Sequence, residues 1–151
     1  MTNYPDGLHT SGGDAVTDLI LNVFRLNGRL LRAGDSLGKD LGLSSARWQV
    51  LGVINDRPRT VAQVARHFES TRQGVLWVVN ALEKDGLVEL IDNPDHKRAK
   101  IAQLTEKGRH AVSDMQRRQS TWVNALAATL PEAQVRAAAE LLDQMRTALA
   151  D

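Results

Sequence analysis

Two short helical segments in the middle of the chain, each opened by its own capping signal and only a few residues apart, restrict the possible folds more than any other feature. Thr60 followed by Gln63 has the form of a capping box, in which a hydroxyl and an amide side chain satisfy orphan backbone N–H groups. Behind it Val61, Val64, Ala65 and Phe68 keep an inward-facing helical spacing for two turns. Ser70 with Gln73 offers a second box directly afterwards. Val75, Val78, Val79 and Leu82 then fall at i, i+3, i+4 and i+7, the buried face of a second helix, which sets Gln73, Trp77, Asn80 and Lys84 on the opposite side. Two capped helices so close together are the sequence form of a helix-turn-helix. Gly86 ends the second one at Asp85. Leu87–Ile91 and Lys100–Leu104 read as hairpin strands around the loop Asp92-Asn93-Pro94-Asp95-His96-Lys97-Arg98-Ala99.

The flanks are helical. Residues 1–13, where Pro5, Gly12 and Gly13 stand among Ser, Thr and Asn, read as a flexible arm. From Asp14, an N-cap, a stripe through Val16, Ile20, Val23, Phe24, Leu30 and Leu31 runs about five turns and stops in Gly34, Gly38 and Gly42. It is unusually apolar for a surface helix. A helix from Ser44 or Ser45 buries Trp48, Leu51 and Ile54 and closes at Asn55-Asp56-Arg57-Pro58. After Thr105, another N-cap, a helix runs to about Ala128 with Ala111, Met115, Gln119, Trp122 and Leu126 on one stripe. Pro131 stands where a first helical position should be, and Val135, Ala138, Leu142, Met145 and Leu149 then form an a/d seam that wants a partner helix. The expected architecture is an arm, 1–13, and one domain, 14–151, mainly α with a small β-hairpin wing.

Composition removes several functions. A chain of 151 residues can bury roughly 70% of its unfolded surface, enough for a core. The absence of cysteine excludes disulfides, thiolate metal sites and cysteine nucleophiles. No apolar run reaches membrane-spanning length and the N-terminus lacks a signal-peptide layout, so a cytoplasmic protein without membrane contact is expected. His9, His67, His96 and His110 have no ligand spacing, and no Ser/His/Asp arrangement, Gly-rich phosphate loop or H-E-x-x-H motif occurs. No catalytic residue, metal or cofactor is expected, and the chain does not read as an enzyme. The net charge of +1 conceals an asymmetry: residues 57–118 carry twelve Lys/Arg against eight Asp/Glu, while the remainder is net negative. That suits a polyanionic partner, and equally a solvated charged face.

Two constellations are candidates for contact. On the second short helix, Gln73 or Asn80 can pair bidentately with adenine and Arg72 with guanine in a major groove, with Ser70 and Thr71 on phosphate. Leu76 lies partway round, suited either to a thymine methyl or to packing, and Gln73 is equally placed to cap its own helix. Gly74 inside this helix costs about 1 kcal/mol relative to Ala, which close packing against the preceding helix would offset. In the hairpin loop His96, Lys97, Arg98 and Lys100 form a basic tip that fits a minor groove; its bland counterpart is a solubilising loop with Asp95 paired to Arg98.

The ordered pieces GLSSARWQVL, TVAQVARHF, TRQGVLWVVNALEKDGLVEL, the wing NPDHKRAKIAQLTEKGR and a closing LPEAQ helix resemble the MarR family of bacterial transcription regulators over about residues 15–149. The resemblance implies a winged helix-turn-helix DNA-binding lobe, 44–104, and a helical dimerisation lobe from 14–42 and 105–151. It also implies an obligate homodimer on double-stranded DNA at a pseudo-palindromic, inverted-repeat operator. Ser70 to Gln73, Trp77 and Asn80 fall on the recognition helix, and Lys97 and Arg98 at the wing tip. Many relatives carry a polar or basic residue at the position of Trp77, an indole suited either to stacking against sugars or to packing. Many also bind small aromatic acids or other hydrophobic effectors, for which Phe24, Arg47, Trp48 and Met115 are candidate pocket residues here. The expected function is a ligand-released repressor; the alternative is a winged-helix protein-interaction module that does not bind DNA, with Trp77 as its anchor.

Overall fold

The computed structural model describes residues 8–96 and 98–150. Helix α1, Ser11–Gly38, begins on Thr10, whose hydroxyl accepts from the Gly13 N–H at 3.1 Å. It therefore starts three residues before Asp14 and takes in Ser11, Gly12 and Gly13, which the sequence assigns to the arm. Residues 1–7 of that arm lie outside the described residues. Nor does α1 stop at Gly34. A Cβ on Gly34 would meet Ser45 Oγ at 2.6 Å, and one on Gly38 would meet the Leu43 carbonyl oxygen at 2.2 Å. These two glycines permit close approach of another segment inside a continuous helix.

A 3-10 turn, Lys39–Leu41, ends on Gly42 at φ +66°, and Ser44 caps helix α2, Ser45–Asp56. Then follow strand β1, Arg59–Thr60, and helix α3, Val61–His67, on the complete Thr60/Gln63 capping box: Gln63 N donates to Thr60 Oγ1 and Thr60 N to Gln63 Oε1. Helix α4 is Arg72–Lys84, and Gly86, at φ +72°, follows its C-cap Asp85. Strands β2, Val88–Ile91, and β3, Ile101–Leu104, match the expected hairpin to within a residue. Helix α5 spans Glu106–Ala127, with Gly108 N donating to Thr105 Oγ1. Helix α6 is Glu132–Ala148, where Pro131 is the N-cap rather than the first helical residue.

The sheet is antiparallel in the order β1-β3-β2, pairing Thr60 with Ile101, Val88 with Leu104 and Ile91 with Ile101. β1 is not foreseen by the sequence reading, because two residues are too few to show a period of two. The core joins Leu51 and Ile54 of α2, Val64 of α3, Val75, Val79 and Leu82 of α4, and Val88, Ala102 and Leu104 of the sheet. Burying these side chains, the Val, Leu and Ile among them each worth about 1.5–3 kcal/mol when fully withdrawn from water, is what holds α4 against the sheet and α2.

The chain separates into two compact units with the division between Val112 and Ser113, inside α5. In the first, α1 exposes Val16, Ile20, Phe24, Leu30 and Leu31. In the second, Val123, Leu126 and Leu130 meet Val135 around an apolar cleft of about 470 Å³, and α6 leaves Val135, Leu142 and Leu149 exposed at sevenfold spacing. Among the described residues no helix is long and apolar enough to cross a membrane.

Candidate nucleic-acid interface

The buried stripe of α4 decides what its other face presents. With Val75, Val79 and Leu82 in the core, Arg72, Gln73, Leu76, Trp77 and Asn80 are all exposed. Trp77 is 76% and Leu76 44% exposed, so neither belongs to the core of the described chain. The N-cap is Thr71, not Ser70: its hydroxyl accepts from Gly74 N at 3.1 Å. Gln73 therefore has no capping duty and its amide is available on the outer face. A Cβ on Gly74 would meet only Thr71 Oγ1, at 3.1 Å, so the glycine is explained by its cap and not by packing against α3. Ser70 is exposed and leads into this turn, where Glu69 takes a positive φ of 48°.

In the hairpin loop, Asn93 Oδ1 accepts from Asp95 N at 3.0 Å, and Ala99 N donates to the His96 carbonyl at 3.0 Å. Lys100 lies 3.8 Å from Asp92, an exposed pair of little energetic weight. The Asp95–Arg98 pair of the bland alternative does not occur: Arg98 is exposed and has no ion pair among the described residues. Lys97 falls outside the described residues.

The effector candidates Phe24, Arg47 and Trp48 belong to the first unit and Met115, buried, to the second. Arg47 is already engaged. Its guanidinium donates to the Gly42 carbonyl at 2.9 Å, to the Ala81 carbonyl at the end of α4, and to Asp85. The hydrogen bond and charge of Arg47 hold the Asp85 carboxyl below the usual carboxylate range. Arg47 thus ties α2 to the C-terminus of α4, where a cation also suits the helix dipole. Trp48 is half-buried, and its Nε1 is a buried donor without a partner among the described residues. Phe24 is 68% exposed.

Arg47→Ala is expected to lower the thermal midpoint by about 2–6 °C at neutral pH. A carboxylate with a depressed folded pKa contributes stability above its unfolded pKa and loses it as pH falls through the folded value. The gap between wild type and variant should therefore close on acidification below the usual carboxylate range. A gap constant down to pH 2 would show that the ion pair is not its source.

The sequence reading passes over one basic feature that the structure assembles. Arg57, Arg59, Gln63, Arg66 and His67 line a cleft of about 380 Å³ at the junction of α2, β1 and α3. The available signal is compositional: residues 57–68 contain three arginines, a histidine and no carboxylate.

Comparison with known proteins agrees with this geometry. Residues 41–99, from the end of α1's following turn through the hairpin loop, match the MarR family. An uncharacterized protein of Mycobacterium tuberculosis is 40% identical over 136 residues, covering 90% of this chain and 95% of that one. The crystal structure of CouR from Rhodococcus jostii RHA1, bound to p-coumaroyl-CoA, is similar with a TM-score of 0.75 at 22% identity, covering 85% of this chain and 91% of CouR. That of MepR from S. aureus in complex with DNA has a TM-score of 0.77 at 18% identity, covering 85% and 96%. These structures share the fold, a winged helix-turn-helix flanked by helices. With a relative of such identity over nearly its whole length, a family match centred on the helix-turn-helix and wing, and that fold, the chain belongs to the MarR family and is a transcription regulator, not an enzyme.

Proposed function

We propose that the chain is a homodimeric, cytoplasmic repressor that binds an inverted-repeat operator and is released from it by a small aromatic or phenolic ligand. The observation that carries the reading is the outer face of α4: Arg72, Gln73, Leu76, Trp77 and Asn80 are exposed together on a helix whose other side is locked in the core. A helix of this width enters a major groove, where these side chains discriminate base edges and thymine methyls, while Ser70 and Thr71 at its start hold phosphate. His96, Lys97, Arg98 and Lys100 reach the neighbouring minor groove. Support for the dimer comes from the apolar faces of α1 and α6, which are too extensive to be left in water. Support for a ligand comes from Trp48, whose buried Nε1 donor has no partner among the described residues, close to Gly34 on α1. Phe24 remains a candidate within the same unit, whereas Arg47 serves the α2–α4 tie. A ligand acts by favouring a dimer in which the two recognition helices no longer match successive half-sites.

Selection of bound duplexes from random DNA tests this directly. The expected product is an inverted repeat whose half-site centres lie one helical turn, ~34 Å, apart. Replacing Arg98 by Ala should reduce the slope of log affinity against log salt by about 1 per wing. Failure to enrich any sequence would remove the operator from the reading.

One observation favours a second reading. Trp77 and Leu76 form an exposed apolar pair on α4, the composition of an anchor for another protein. Binding through such an anchor would be nearly insensitive to salt, whereas phosphate contact makes affinity fall steeply with it.

A further inference from the structure

Three arginines reach one cleft from three different elements. Arg57 is the C-cap of α2, in extended backbone, Arg59 is in β1, and Arg66 is in the last turn of α3, with Gln63 and His67 beside it. Pro58 fixes φ between the first two, so their backbone is held rather than free to rearrange. Of the three, Arg59 is neutralised: its guanidinium donates to Asp56 at 2.8 Å and to the Val53 carbonyl at 3.2 Å, which makes it part of the wall. The side chains of Arg57 and Arg66 are exposed and make no hydrogen bond or ion pair with the described residues. No Asp or Glu occurs from residue 57 to residue 68, and Asp56, the last residue of α2, is engaged by Arg59.

We infer that this cleft is a phosphate clamp which grips the DNA backbone beside the bases read by α4, each cleft taking one phosphodiester between Arg57 and Arg66. The inference rests on the proposed operator-binding function. Its direction follows from α3 being the first helix of the helix-turn-helix, the one that crosses the phosphate backbone when the second lies in the major groove. Gln63, Arg66 and His67 share the outer face of α3, opposite buried Val64 and Ala65, so the cleft opens where that backbone runs. Two planar guanidinium forks match the oxygens of a single phosphate and form charge-assisted bonds to it. A contact to the backbone alone carries no sequence information, so the clamp strengthens binding to every sequence alike and leaves the choice of sequence to α4 and the wing.

The test is operator binding by the full chain across a salt series, comparing wild type, R57A/R66A and R57K/R66K. Each phosphate released changes the slope of log affinity against log salt by about 0.9, and a dimer has two clefts, so R57A/R66A should lose about 2 from the slope. Its affinity for random duplex should drop by the same factor as for the operator, leaving the specificity ratio unchanged. R57K/R66K, which keeps the charge, should retain most of the slope. Both arginines are exposed, so the thermal midpoint of each variant should match wild type, which separates loss of the clamp from loss of the fold. An unchanged slope in R57A/R66A while wild type binds its operator would overturn the clamp and leave the operator reading standing. Collapse of the specificity ratio would also overturn it, because the arginines would then be reading bases. If a few millimolar inorganic phosphate at constant ionic strength bound wild type but not R57A/R66A, with the slope unaltered, the cleft would serve free phosphate and the backbone clamp would be wrong. If wild type bound no DNA, the operator reading and the clamp would fall together.

Discussion

Leu142→Asp should yield a folded, monomeric chain that binds the operator at least 100-fold more weakly than wild type. Leu142 is exposed on α6, midway between Val135 and Leu149 at sevenfold spacing, and among the described residues it belongs to no core cluster. A charge there costs the isolated chain little. Across a dimer seam it buries an unpaired carboxylate opposite apolar side chains, which association cannot compensate. Loss of the dimer converts one divalent encounter with two half-sites into independent weak ones, and the effective concentration that links them is worth a factor of about 10²–10⁴. Sedimentation equilibrium and an operator titration on the same preparation measure both effects. A variant that remained dimeric and kept wild-type affinity would exclude the α6 seam from the interface.

The second large effect concerns the joint between the hairpin and α5. A Cβ on Gly108 would lie 2.0 Å from the Leu87 carbonyl oxygen and 3.0 Å from its carbon, both backbone atoms. That carbonyl already accepts from Thr105 N at 3.2 Å, and Gly108 N is itself bonded to Thr105 Oγ1. Neither side can yield without displacing β2 or the first turn of α5, so Gly108→Ala should destabilise the chain by about 3 kcal/mol, or roughly 6–12 °C in thermal midpoint. Gly52→Ala is the matched control: the same substitution in α2, where an added Cβ meets nothing within 4 Å, should stabilise by about 0.5–1 kcal/mol. Similar midpoints for the two variants would mean that the Gly108 contact is not as close as described.

The contrast between these glycines shows where sequence reasoning runs out. Amphipathic periods of three and four residues placed α2, α3, α4, α5 and α6 to within a residue or two, because the buried stripe is written in consecutive positions. Glycine, by contrast, is read as a stop, and at Gly34 and Gly38 that reading fails: the missing Cβ there serves Ser45 and Leu43, partners not knowable from the local sequence. Adjacent capping signals behave alike. Thr60 with Gln63 reads correctly, but Ser70, Thr71, Gln73 and Gly74 contain two overlapping solutions, and backbone geometry favours Thr71. At the interface, the exposed face of α4 was legible from helical spacing, Trp77 included. The cleft of Arg57 and Arg66 was not, since its members come from a cap, a two-residue strand and a helix that share no period. Arg47, a candidate for effector contact by sequence, is tied to α4 through Ala81 and Asp85, partners 34 and 38 residues away that local spacing does not reveal.

Thr60 does two jobs that are normally kept apart. It is the strand residue paired with Ile101, at the wing end of β3, and it is also the N-cap whose hydroxyl sets the first turn of α3. One peptide unit therefore yokes the hairpin to the helix that leads into α4. Sliding the wing along its strand axis would drag the capped turn with it, so the hairpin and the helix that leads into α4 move as one piece.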